Sequence, residues 1–329
     1  MNSDRPITKS KIFLIIMFFF LMLTSFRIGW VIYHQTPEHP QAEQGVIDFT
    51  DWEFTDNQAV TLDGEWIFYP DQFIQPDTDI ETEEKRYISV PEDWRSLQEN
   101  DSPYGYGTYV LKIILPDDEQ SNLLYGVRMK EISTAAKVYI DGQIAAEAGN
   151  PAASAEQSEG FYAPFDALFH PENNEVELMI HVSNFETPLQ GGISNSIRIG
   201  TENAIAKESN ISVILQIIVA AIYFLHSVYA FSIYFMGKGK YQKEILFFGI
   251  MLLLHGFMIL IDDDVALYLP IDFISHTKLM VFLSVSTLVS LLVFIKHLFQ
   301  VKSRLYFYYF TDSSSSVNSL FLFIIIAIY

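Results

Sequence analysis

Long apolar runs separate the chain into segments suited to a membrane and one long polar insert. A helix needs about 20 residues to cross a hydrocarbon layer of about 30 Å, because its backbone groups find no water there to bond. Runs that approach or reach this length lie at residues 12–33, 211–236, 245–261 and 279–295. The pattern predicts an anchor at the first run and a membrane domain of three helices over residues 210–304.

The first apolar run has a second interpretation, a secretory signal peptide that would be cleaved. No small-x-small cleavage site follows it, and the apolar character resumes after Arg27 for six more residues. We therefore favour an uncleaved anchor at residues 12–33, preceded by a cytoplasmic N-terminus at residues 1–11.

The polar insert, residues 34–209, shows the short alternating segments typical of β-strands. AAKVYI (135–140) ends at Asp141-Gly142, a dipeptide suited to a tight hairpin. In EVELMIHVSNF (175–185), alternate apolar residues share one face, namely Val176, Leu178, Ile180 and Val182. No helical period intervenes, so we expect an antiparallel sandwich, large enough to bury one core.

Charge follows the same boundary. Residues 34–209 hold 33 of the 40 acidic and 9 of the 20 basic residues, a net charge of −24, whereas the remaining 7 acids and 11 bases give +4. If the spans alternate, three basic clusters share one side: Arg5, Lys9 and Lys11; Lys238, Lys240 and Lys243; Lys296, Lys302 and Arg304. The positive-inside rule makes that side cytoplasmic. It places the insert and the acidic turn Asp262, Asp263 and Asp264 outside the cell.

Composition also excludes several kinds of function. The chain has no cysteine, so disulfides, thiolate metal sites and a cysteine nucleophile are ruled out. The acidic insert would repel nucleic acid. No G-x-S-x-G, H-E-x-x-H or P-loop pattern occurs, and we predict no catalytic residue, metal or cofactor. DTDIETEE (77–84) suggests calcium but lacks the EF-hand spacing, which favours a solvated acidic loop.

Eight motifs of the insert resemble, in order, a known family. They are GVIDFTDWEF (45–54), LDGEWIFYPDQF (62–73), VPEDW (90–94), GYGTYVLKIILP (105–116), ISTAAKVYIDGQIAAEAG (132–149), FYAPF (161–165), VSNF (182–185) and GGISNSIRIG (191–200). The family is the bacterial seven-transmembrane receptors with diverse intracellular signalling modules. A weaker similarity extends to the N-terminal sugar-binding domain of family 2 glycosidases. Both resemblances imply a galactose-binding-like jelly roll.

We therefore expect a multi-pass α-helical protein of the bacterial plasma membrane, with an extracellular all-β jelly-roll sandwich at residues 34–209. The resemblance implies a receptor's sensory part that binds a small carbohydrate or cell-wall ligand and contacts the lipid bilayer, an effector protein or a second copy of itself. A full receptor would carry seven grouped spans and an output domain. Residues 305–329 are expected to be a truncated or degenerate tail. The alternatives are an adhesion or assembly module and a nonfunctional remnant.

Five residues are candidates for the ligand site. Aromatic side chains stack on sugars, and loops carry ligands more often than strands do. The candidates are Trp94, Tyr104, Tyr106, Asn184 and Phe185. For Trp94, as for Trp66, the competing interpretation is a core residue.

Polar residues within the apolar runs raise a different possibility, a proton relay. The candidates are His226, His255, His276 and His297. They could equally bridge neighbouring helices or lie near the membrane interfaces.

Overall fold

The computed structural model describes residues 9–33, 38–76, 85–97, 101–116, 123–130, 132–237, 239 and 241–298. The acidic stretch at residues 77–84 and the tail at residues 305–329 lie outside them. The described helices are α1 (Lys9–Tyr33), α2 (Glu202–Met236), α3 (Gln242–Leu260) and α4 (Phe273–Leu298). The strands are β1 (Val46–Asp48), β2 (Val60–Thr61), β3 (Gly64–Pro70), β4 (Arg86–Val90), β5 (Gly105–Ile114), β6 (Tyr125–Met129), β7 (Ala135–Ile140), β8 (Gln143–Ala148), β9 (Phe165–Phe169), β10 (Glu175–Asn184) and β11 (Arg198–Thr201).

The strands form two sheets, which together make the β domain (residues 40–201). The first has the order β4-β3-β5-β10-β7-β8, with β1 added in parallel to β5. The second has the order β2-β11-β6-β9. Apart from β1 and β5, the strand pairs of these described sheets are antiparallel. The predicted antiparallel, two-sheet character of this region is therefore confirmed.

The larger apolar core of the described residues joins the two sheets. It contains the alternating face of β10 together with residues such as Val127 and Ile199 from the second sheet. Trp66 lies in this core without solvent exposure, and its indole N–H donates to the Leu62 carbonyl at 2.8 Å. Burying a large aromatic contributes about 2 to 3 kcal/mol. The core interpretation of Trp66 is confirmed, as is the inward face of Val176, Leu178, Ile180 and Val182.

The hairpin between β7 and β8 turns where the dipeptide predicted it. Asp141 has a φ of 47° and Gly142 a φ of 77°. Two successive positive φ values characterise the type I′ turn, whose twist matches that of the flanking strands.

The opposite face of β10 is also buried, although alternation predicts a polar, solvated face there. The segment after β3 folds across it, so Phe73 lies with its ring 4.9 Å from that of His181. His181 Nε2 hydrogen-bonds to the Ile74 carbonyl at 2.7 Å. Burial lowers the pKa of His181, which favours the neutral imidazole beneath this cover.

Three helices, α2, α3 and α4, are long and apolar enough to cross a membrane. Helix α1 forms a separate unit from the β domain and the other helices, and it contains the shorter apolar stretch Met17–Gly29. A span at residues 12–33 stays a prediction.

Helix α2 begins at Glu202, nine residues before the predicted span at 211–236. β11 runs directly into it, and the Thr201 hydroxyl caps its first turn by accepting from the Ala204 N–H at 3.2 Å. The first turn is buried at Ala204 and Ile205. These two apolar residues pack against the β domain, whereas Glu202 and Asn203 are exposed. So short a contact is not visible in a hydropathy pattern.

Small residues allow α2 and α3 to approach closely. A Cβ on Gly249 would lie 3.1 Å from the Phe231 ring, and one on Gly256 would lie 2.9 Å from the Phe224 ring. The Ser227 hydroxyl on α2 donates to the Gly249 carbonyl at 2.8 Å. Such packing by small residues and an interhelical hydrogen bond is typical of helices in a membrane.

Candidate functional site

Two of the predicted ligand residues, Trp94 and Asn184, are fully buried. Both side chains have 0% exposure. The Trp94 indole N–H donates to the Pro103 carbonyl at 3.1 Å. The Asn184 amide donates to the carbonyls of Pro103, Thr187 and Gln190 at 2.8 to 2.9 Å. Their polar atoms hold the surrounding loops together, and Trp94 lies in the apolar core, as its competing interpretation expects. A ligand role for these two residues stays a prediction.

The other three predicted ligand residues lie nearer the surface. Tyr104 is 42% exposed, while Tyr106 and Phe185 are half-buried. The Tyr106 ring packs 4.9 Å from that of Phe73. A ligand role for Tyr104, Tyr106 and Phe185 stays a prediction.

The most concentrated set of buried charges lies where the second sheet meets the helices. We call this region the junction, and define it as β6, β9 and residues 160–164 with the α3–α4 turn at residues 261–272. Arg128 on β6 is 1% exposed. Its Nη1 donates to Asp166 Oδ1 at 2.8 Å, and its Nη2 donates to Asp264 Oδ1. One buried cation thus bridges the sheet and the turn.

Strand register explains this arrangement. Arg128 on β6 lies directly opposite Asp166 on β9 and opposite Arg198 on β11. The two arginines would repel each other, but each receives a carboxylate from the helical part of the chain. Asp264 in the turn pairs with Arg128, and Glu208 on α2 pairs with Arg198 at 3.0 Å. Each of these two arginines of the second sheet therefore has a counter-charge from the helical part of the chain, in addition to Asp166 for Arg128.

The protonation of the junction follows from burial and charge. Burial alone would lower the pKa of Arg128, but hydrogen bonds and charges from Asp264 and Asp166 outweigh it and raise that pKa. Burial raises the pKa of Asp166 despite the adjacent guanidinium. Burial and the neighbouring Asp264 carboxylate raise the pKa of Asp263 as well. Negative charge at this turn is only partly compensated.

Aromatic contacts surround the ion cluster. The Tyr162 hydroxyl donates to Asp262 Oδ1 at 2.7 Å, and its ring stacks on His276 with centroids 4.1 Å apart. His276 Nε2 lies 2.6 Å from the Ile261 carbonyl, which fixes it as the donor. A Cβ on Gly160 would meet the Phe273 ring at 3.0 Å, so the loop and α4 are in close contact.

Gln216 on α2 supports the turn from the other side. Its side-chain Nε2 donates to the carbonyls of Ile259, at 2.6 Å, and Asp262, while its Oε1 accepts from the Val265 N–H at 3.1 Å. The turn is therefore held between α2 and the β domain.

A cavity of about 320 Å³ opens beside the ion cluster. Its lining residues are Lys130, Tyr162, Ala163, Pro164, Asn195, Asp262 and Asp263. Another cavity of about 370 Å³ lies between β8 and β9 and includes Ile144, His170 and Glu172 in its lining. The five predicted ligand residues are not among those that line either cavity.

The four histidines proposed for a proton relay have separate partners. His226 Nδ1 bonds to the Ile222 carbonyl of its own helix at 2.7 Å, His255 packs on Tyr223, and His297 stacks on Phe247. His276 belongs to the junction. The contacts of His255 and His297 join neighbouring helices, as the bridging interpretation expects, whereas that of His226 lies within one helix.

Reasoning from sequence missed Arg128 and Tyr162. A signal for Arg128 exists, because it is the single charge in the strand YGVRM, all of which is buried. A charge in such a strand needs a buried partner. Tyr162 carries no comparable signal in FYAPF.

No protein-family model and no curated protein matches the chain. Solved structures similar to part of it include the GH2 beta-galacturonidase from Eisenbergiella tayi bound to galacturonate, at 18% sequence identity and a TM-score of 0.32, covering 45% of this chain and 25% of that chain. The Faecalibacterium prausnitzii beta-glucuronidase is 16% identical with a TM-score of 0.34, covering 44% and 31%. The Ruminococcus gnavus beta-glucuronidase in complex with D-glucuronic acid is 15% identical with a TM-score of 0.32, covering 43% and 29%.

The chain spans less than a third of the length of each of these three enzymes. At TM-scores this low, the similarity carries no inference about fold or activity.

Removing Arg128 should strongly destabilise the protein. Arg128→Met leaves Asp264 buried without its counter-charge, and we expect the free energy of unfolding to fall by about 3 to 5 kcal/mol. Denaturant unfolding of the detergent-solubilised chain, followed by tryptophan fluorescence, measures this change. Arg128→Met with Asp264→Leu should recover much of the loss, because the unpaired charge is gone.

Arg95→Met is the matched control for this experiment. Arg95 pairs with Asp93 at 2.8 Å, and both side chains are partly exposed, so the pair should contribute far less to stability than the buried Arg128 cluster. Equal effects of the two single substitutions would contradict the assigned role of Arg128.

Asp263 and Asp272 lie toward opposite ends of the turn. Replacing each by asparagine should change the free energy of unfolding in opposite directions. The folded-state pKa of Asp263 is raised, so its ionised form destabilises the fold at neutral pH, and this cost disappears as the pH falls toward about 4. Asp263→Asn should therefore raise stability at pH 7 by up to about 1 kcal/mol after solvent screening. Asparagine also tolerates the φ of 48° at this position.

Asp272→Asn should instead lower stability at pH 7. Hydrogen bonds from Ser275 lower the pKa of Asp272, so its contribution is present above the ordinary aspartate pKa and is lost as the pH falls through the folded-state value. Thermal unfolding from pH 4 to pH 7 tests both signs. The same sign for both variants at pH 7 would contradict this assignment.

Proposed function

We propose that this chain is the sensory part of a bacterial membrane receptor. In this proposal α2, α3 and α4 cross the plasma membrane, and the β domain is an extracellular jelly roll of the galactose-binding type. It binds a small ligand, a carbohydrate or cell-wall fragment, and passes the signal through the helices to an effector. The role is binding rather than catalysis.

The attachment of the β domain at two places carries this proposal. The first is covalent and rigid, since β11 continues into α2 without a linker. The second is the noncovalent contact of Arg128 and Tyr162 with the α3–α4 turn. In this proposal the domain has two arrangements relative to the helices, docked on the turn as in the structure and released from it. A ligand that prefers one of them shifts the balance, which is the requirement for transmitting a signal.

Charge supports the proposed orientation. The turn between α3 and α4 is acidic, with Asp262, Asp263 and Asp264, and it contacts the acidic β domain. The α2–α3 connection is basic, with Lys238, Lys240 and Lys243. Basic connections remain in the cytoplasm by the positive-inside rule, which leaves the turn and the β domain outside.

Cysteine labelling tests this orientation directly, since the chain contains no cysteine of its own. Leu189→Cys lies in a loop of the β domain at a position that is 65% exposed. Lys243→Cys lies exposed at the start of α3. A membrane-impermeant maleimide should label the first in intact cells and the second only after permeabilisation. Labelling of Lys243→Cys in intact cells, or protection of Leu189→Cys, would overturn the receptor orientation.

Ligand binding is tested by titrating the purified chain with a panel of glycans and cell-wall fragments. For a ligand that binds, Tyr104→Ala should weaken affinity by about threefold to tenfold, because a stacking contact contributes about 0.5 to 1.5 kcal/mol. Tyr87→Ala is the matched control, since Tyr87 is 40% exposed on β4 and Tyr104 is 42% exposed. Calorimetry that detects no ligand in the whole panel would count against the carbohydrate form of the proposal.

A further inference from the structure

The cavity at the junction has the size of a small-molecule site. Its volume of about 320 Å³ lies at the lower end of the range for ligand pockets, roughly 300 to 1,000 Å³. One wall comes from the β domain, with Lys130 and Asn195, and the other from the α3–α4 turn, with Asp262 and Asp263. A compact molecule in this cavity therefore touches both partners of the junction.

The turn side of the cavity has an excess of negative charge. Asp262 and Asp263 line this side, and the next residue, Asp264, pairs with the buried Arg128. Asp264 is fully buried and uses Oδ1 for Arg128, while its Oδ2 has no hydrogen-bond partner among the described residues. Burial and this neighbouring carboxylate raise the pKa of Asp263, and Lys130 offsets them only in part. A cation that entered here would relieve the repulsion among the carboxylates.

The opposite wall offers the complementary charge. Lys130 follows β6 and is exposed, so its ammonium can meet an anionic group of a ligand. Asn195 adds an amide that can donate or accept. The cavity therefore presents acceptors to an ammonium on one side and donors to an anion on the other.

We propose that the junction cavity binds a compact zwitterion, with a primary ammonium against Asp262 and Asp263 and a phosphate against Lys130. This inference rests on the proposed function, in which the ends of α3 and α4 lie at the membrane surface. The matching chemistry is phosphoethanolamine, either as the head group of phosphatidylethanolamine or as the free molecule. Phosphocholine should not bind in the same way, because its quaternary nitrogen has no N–H to donate to Asp262 and Asp263.

Binding of this zwitterion would favour the docked arrangement. A molecule that contacts Lys130 and Asp263 together links the β domain to the turn, so it binds the docked state better than the released state. The amount of phosphoethanolamine, in the membrane or in solution, would then set how much of a second ligand on the β domain is needed to release the turn.

The test uses the full chain in two settings. In detergent, free O-phosphoethanolamine and phosphocholine are titrated while thermal unfolding and calorimetry are recorded. In nanodiscs, phosphatidylcholine alone is compared with phosphatidylcholine containing phosphatidylethanolamine. We expect phosphoethanolamine, in at least one of its two forms, to raise the unfolding temperature, and the choline compounds to have no such effect. A response to both forms identifies the shared group, and a response in nanodiscs alone identifies the lipid as the source.

Asp263→Asn separates binding from folding. It should weaken phosphoethanolamine binding by about tenfold or more, because a charge-assisted contact is lost, while the unliganded variant is at least as stable as the parent. Lys130→Gln should remove the preference for phosphoethanolamine over ethanolamine. Glu172→Gln, in the other cavity, carries the same change of charge as Asp263→Asn and should bind normally.

Three results would overturn the inference: no response to phosphoethanolamine in either setting, equal binding of phosphocholine, or full binding by Asp263→Asn. Cysteine labelling separates these failures from failure of the proposed function. If the two cysteine variants label as expected but no zwitterion binds, this inference alone is contradicted. If they label in the opposite way but the free molecule binds, the zwitterion site is supported, while the receptor role and the lipid as source are contradicted.

Discussion

The burial of Arg128 is the constraint on which the arrangement of this protein depends. A guanidinium without solvent contact requires carboxylates, and the β domain supplies Asp166 directly across the strand pair. Asp264 comes from the turn between two helices. The second carboxylate on Arg128 therefore comes from outside the second sheet, and the contact with the helices becomes part of the stability of that sheet. Because Arg128 joins the second sheet to the α3–α4 turn, a displacement of one would act on the other. The junction cavity lies between these two parts.

Local features of the fold were predictable because they depend on neighbouring residues. The alternation in β10, the Asp141-Gly142 turn and the three apolar helices each follow from a short stretch of sequence. The start of α2 was placed too late, since its first turns are held by Thr201 and by the packing of Ile205 near Gly126. The cover over the outer face of β10 was also missed, because it comes from the Phe73 segment, which is distant in sequence. Tertiary contacts decide both features.

The candidate site was less predictable, for a related reason. An asparagine or tryptophan in a loop has the same appearance in sequence whether it binds a ligand or the backbone, and Asn184 and Trp94 bind the backbone. Arg128 could have been suspected as a lone charge in a buried strand. Its partner Asp264 lies 136 residues away, and no local pattern connects the two. The acidic turn was recognised, but its charge alone does not reveal that one of its carboxylates is buried.

The direct passage from β11 into α2 has a mechanical consequence. The helix has 35 residues and no proline or interior glycine, and at 1.5 Å per residue it is about 50 Å long. Thr201 and Arg198 fix its first turns to the sheet. It therefore acts as a stiff lever whose fulcrum is the edge of the β domain. A pivot of only 5° at that end would displace the far end by about 4 Å, enough to change which side chains pack against α3.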